Sequence, residues 1–69
     1  MTQKELLYLE DAIGHEQNII KIIDNTIEYL SNEELITFMN NENSIHKERK
    51  QKLMNLLKEK SNAWSIING

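Results

Sequence analysis

The chain has no cysteine and no proline, and its only glycines are Gly14 and Gly69. Without cysteine there is no disulfide and no thiolate metal site. Without proline, and with glycine so scarce, helix breakers are nearly absent and capping residues must mark the boundaries. No apolar run approaches the roughly 20 residues needed to span a bilayer. Positive charge is also short: 8 Lys and Arg stand against 11 Asp and Glu, for a net charge of −3. That balance supplies no electrostatic footprint for nucleic acid and no basic face for anionic lipid, so neither is an expected partner. The opening Met1-Thr2-Gln3-Lys4-Glu5 carries an acid and lacks the apolar core of a signal peptide, which points to the cytoplasm.

Sixty-nine residues allow one domain, residues 1–69. A chain this short buries too little apolar surface to be comfortable alone and needs a metal, a partner or very good packing.

Two capping-box patterns divide it. Thr2 is followed by Glu5, and Ser31 by Glu34. Between them Leu6, Leu9, Ile13, Glu16, Ile20, Ile23, Ile27 and Leu30 are spaced alternately three and four apart, a sustained helical period. The expectation is an all-α antiparallel two-helix hairpin, with a first helix over about 3–30 and a second over about 32–60. A short turn at Ser31-Asn32 makes the helices antiparallel neighbours. The expected inward positions of the second helix are Leu35, Phe38, Met39, Glu42, Ile45, His46, Arg49, Leu53, Leu56 and Leu57. Leu9, Ile13, Ile20, Ile23, Ile27, Phe38, Ile45, Leu53 and Leu56 are the expected core. Leu53, Leu57, Lys60, Trp64 and Ile67 keep the spacing, so the second helix can continue to 67. Trp64 then either packs on the end of the bundle or anchors a partner.

The first helix carries more apolar surface than one neighbour covers. A second stripe, Tyr8, Ala12, His15, Ile19, Ile22, Thr26 and Tyr29, widens the apolar arc to about 160°, beyond what a two-stranded seam needs. Burying a Leu or Ile is worth roughly 1.5–3 kcal/mol, so this stripe is the expected interface of a homodimer that completes a four-helix bundle.

Glu16 stands where the period demands Leu or Ile, and His46 lies near the centre of the second helix's apolar face. Each is 15 residues from Ser31. At 1.5 Å rise per residue both lie about 22 Å from the turn, in one layer. A buried carboxylate needs a partner. The preferred reading is a hydrogen-bonded or ion-paired network of Glu16, His46 and Arg49, with Glu42 one turn before His46. The alternative is a metal site of Glu16, His46 and Glu42 holding iron, manganese or zinc. On the preferred reading there is no cofactor. No phosphate loop, nucleophile–base pair or zinc signature is present, so no enzymatic activity is expected.

The segment Leu7-Tyr8-Leu9-Glu10-Asp11-Ala12-Ile13-Gly14-His15-Glu16, followed by a long helix with His46, resembles the small spore coat proteins of the CotF type. These are similar to the ferritin-like superfamily. The resemblance covers roughly residues 5–57. In metal-binding ferritin-like proteins the first helix supplies a Glu and the second a Glu-x-x-His motif. Glu16 and His46 match the first and last of these, while position 43 carries Asn. The resemblance implies a ferritin-like bundle, a sporulation context with other coat proteins as partners, and a structural role. A third reading, a helical-hairpin regulator binding a signalling protein, meets a difficulty. The sporulation aspartyl-phosphate phosphatases of that shape carry a Ser-Gln-Glu-Leu-Asp signature that is absent here.

Overall fold

The computed structural model describes the backbone of residues 2–68 and the side chains of residues 2–60. It is a helical hairpin: α1 spans Gln3–Ile27 and α2 spans Glu33–Asn68. Thr2 caps α1 as the sequence predicts. Its hydroxyl accepts from the Glu5 amide (3.1 Å), and its own amide donates to the Glu5 carboxylate (3.0 Å). That donated bond from Thr2 holds the fully exposed Glu5 carboxyl below its ordinary value.

The turn differs from the expected one. α1 ends at Ile27, three residues early, and tight turns follow, with the Tyr29 amide donating to Thr26 O and Leu30 to Ile27 O. The cap of α2 is Asn32, not Ser31: the Asn32 side-chain oxygen accepts from the Leu35 amide at 2.9 Å. Asn is as good a cap as Ser, and a helix start has room for one. Moving the start by one residue leaves Ser31 in the connection and puts Glu33 and Glu34 in the first turn. There they face the positive end of the helix dipole.

Heptad letters describe the packing. Leu6, Ile13, Ile20 and Ile27 take position a of α1, and Leu9, Glu16 and Ile23 take d. All are half-buried or buried, and Ile13 and Ile23 are the most enclosed. The predicted stripe of the first helix is therefore the seam. In α2 the seam is Ile36, Met39, Asn43, His46, Lys50, Leu53 and Leu57. Positions a and d here include Asn43 and Lys50, which an apolar count passes over.

Four expected inward residues of α2 are consequently corrected. Phe38 is 58% exposed, Leu35 44%, and Ile45 and Leu56 43% each. They occupy positions c and g, rotated by at least about 60° from the d positions of the seam. Arg49, also at g, is exposed, and Glu42 at g is half-buried. The expectation that α2 continues past 60 agrees with its end at Asn68, while the role of Trp64 lies outside the described side chains. No helix among the described residues is long and apolar enough to cross a membrane.

Candidate functional site

Two polar contacts are set into the seam. In the first, His46 Nδ1 lies 2.5 Å from Glu16 Oε2, and both side chains are 15% exposed. An ionised carboxylate only accepts, so with Glu16 charged the Nδ1–H of His46 donates. Both residues are at d, 15 positions on either side of Ser31, which is why the hairpin sets them face to face. A hydrogen bond to an ionised carboxylate is stronger than one between neutral groups.

The second contact lies nearer the turn. Asn43 is 5% exposed, and its amide donates to Asp24 Oδ1 at 2.7 Å. Its own Oδ1 has no partner among the described residues. An unpaired buried acceptor costs on the order of 1–3 kcal/mol. A polar residue at a single a position fixes register at a cost in stability, and Asn43 has that place. Periodicity alone did not find it, because Asn carries no apolar signal; once the seam is set by Ile36, Met39 and Leu53, position 43 must face inward.

The remaining predicted site residues divide clearly. The structure joins Glu16 to His46 but does not bring Arg49 to either. Arg49 has no ion-pair partner among the described residues, because position g aims its guanidinium onto the flank. Glu42 shares that flank and is not bonded to His46. No cluster of three His, Asp or Glu side chains with metal-holding geometry occurs among the described residues. Within one hairpin Glu16 and His46 satisfy each other directly. Within one hairpin the pair gathers no third donor among the described residues.

The larger feature is the face beside these pairs. Positions c and g of α1 hold Tyr8, Ala12, His15, Ile19, Ile22 and Thr26; Tyr29 continues the stripe into the turn. Tyr8 and Ile22 are more than half exposed, and Tyr29 is exposed by 87%. In an antiparallel pair the g positions of both helices fall on one side. The stripe of α1 therefore runs beside Leu35, Phe38, Ile45 and Leu56 of α2. Near the open end the two stripes join in a groove lined by Tyr8, Leu9, Ala12 and Leu56, with Glu5 and Lys60 at its rim. The opposite flank, at position e, reads Glu10, Gln17 and Asp24 on α1 and Asn40, Lys47 and Met54 on α2, all exposed. The hairpin thus has one wet flank and one apolar flank, and the Glu16–His46 pair borders the apolar one.

No family model, curated protein or solved structure matches this chain.

Proposed function

We propose that this protein is a non-enzymatic, self-associating helical protein in which two hairpins bury their c/g flanks against each other and complete a four-helix bundle. The observation that carries this reading is the largely apolar flank contributed by both helices. Tyr8, Ile22, Leu35, Phe38, Ile45 and Leu56 are all more than 40% exposed in the single hairpin. Isolated apolar residues on a surface need no explanation, but a contiguous stripe on both helices of one face marks an interaction site.

The resemblance to the small spore coat proteins adds a sporulation setting to this reading, with a structural role among other coat proteins. The Glu16–His46 bond supports a register role for that pair rather than a reaction. Light scattering at high micromolar concentration tests the proposal: a mass of two chains or more is expected. A stable monomer would overturn it and leave the flank to a different helical protein.

A further inference from the structure

We propose that the partner is a second hairpin packed with its turn at the opposite end, so that α1 lies on α1 and α2 on α2. Glu42 and Arg49 are the residues that select this arrangement. The inference rests on self-association through the c/g flank and specifies how the two copies meet.

Position g of α2 reads Leu35, Glu42, Arg49 and Leu56. Laid antiparallel on a copy of itself about a point between Ile45 and His46, this row is self-complementary. Leu35 faces Leu56 of the partner subunit, and Glu42 faces Arg49 of the partner subunit. A shift of one heptad in either direction sets Glu42 against Glu42 or Arg49 against Arg49. The same-ended arrangement, with α1 over α2, sets Glu42 against Ile19 and Leu56 against Glu5. Only the opposite-ended, centred pairing buries leucine on leucine and carboxylate on guanidinium.

Within one chain the two charges cannot satisfy each other. They lie seven residues apart on one helix, about 10 Å along its axis. Neither has an ion-pair partner among the described residues, although Glu42 is half-buried. α1 accepts the same axis. Ala12 and Ile19, its central g positions, exchange about a point between His15 and Glu16, and the Glu16–His46 bond places that point in the same layer as the α2 axis. The arrangement also lays two Glu16–His46 pairs beside the axis and covers the edge of each that one hairpin leaves open.

Because the chain has no cysteine, a Ser31→Cys variant carries a single thiol for a spin label beside the turn. Opposite-ended dimers place the two labels about 45 Å apart, twice the rise over 15 residues, and same-ended dimers hold them within about 20 Å. A second arm uses charge reversal. Glu42→Arg should weaken dimerisation about tenfold, and Glu42→Arg combined with Arg49→Glu should restore it. Circular dichroism checks that each variant is helical. A long label distance together with restoration by the double variant confirms the proposal. A dimeric mass with a short label distance, or a Glu42→Arg variant that dimerises as well as the natural chain, overturns it while leaving self-association standing. A monomeric mass removes both.

Discussion

The two flanks of the hairpin are built from the same helices and the same heptads, yet they present different chemistry. On the e flank Glu10, Gln17, Asp24, Asn40 and Lys47 face water, and Met54 is the one apolar member. On the c/g flank Tyr8, Ile22, Leu35, Phe38, Ile45 and Leu56 are exposed and Ala12, Ile19 and Thr26 half-buried, with His15, Glu42, Arg49 and Lys52 interrupting the apolar surface. In a lone hairpin this asymmetry has no use, because both flanks touch solvent. The wet flank can mutate freely among polar residues, whereas the apolar flank costs solubility in every chain that leaves it uncovered. The two part-buried polar contacts follow the same division. Asn43 leans toward the wet side to reach Asp24, and Glu16–His46 sits at the border of the apolar side.

Charge placed on each flank tests this difference most strongly. Ile22→Asp or Phe38→Asp changes a side chain about 60% exposed in the single hairpin, where a surface substitution shifts stability by about 0.5 kcal/mol or less. If the flank is an interface, the same change buries an unpaired carboxylate and costs on the order of 3–5 kcal/mol of assembly. Asn40→Asp and Gln17→Glu on the other side should do almost nothing. Sedimentation equilibrium of the four variants reads the contrast, and equal behaviour of both sets would remove it.

The border pair comes next. His46→Ala leaves Glu16 without its donor and should lower stability by about 1–3 kcal/mol in denaturant unfolding. Replacing both residues by Leu should leave stability unchanged or raised, since well-packed apolar side chains often substitute for an ion pair without loss. A double variant as damaged as His46→Ala alone would mean that the pair does more than fix register.

Much of this was legible in the sequence, and the exceptions share a cause. The stripe from Leu6 to Leu30 set the phase of α1 because every member except Glu16 is apolar. Equal spacing from the turn paired Glu16 with His46 for the same reason that it fixes any layer of a hairpin. The phase of α2 was harder to read. Its seam contains Asn43 and Lys50, while Leu35, Phe38, Ile45 and Leu56 crowd the neighbouring arc, so apolar residues alone draw the centre toward c and g. The apolar arc of α2 is wider than its seam with α1, and an apolar count takes the centre of the whole arc. Arg49 was misplaced by that rotation. The start of α2 moved by one residue because Ser31 and Asn32 are both good caps and local preference does not rank them.

The smallest expected effects lie in α1. Gly14 has open space around the place where a Cβ would stand, so Gly14→Ala should stabilise the helix by about 0.5–1 kcal/mol, read as a higher thermal midpoint, with no change in association. Glu5, held below its ordinary value by the bond from Thr2, adds a small stability that is present above pH 4.5 and is lost as pH falls through the lowered folded value. Glu5→Gln, which removes the titrating carboxyl, should abolish that part of the acid dependence.

The most direct test compares the flanks in the natural chain. Ile22→Cys on the apolar flank and Gln17→Cys on the wet flank each give one thiol in a cysteine-free chain, at positions that are both exposed in the single hairpin. Their labelling rates should be measured over a dilution series. The expected result is that the thiol at position 22 is protected at high concentration and approaches the rate of that at 17 on dilution. Equal rates at every concentration would contradict it.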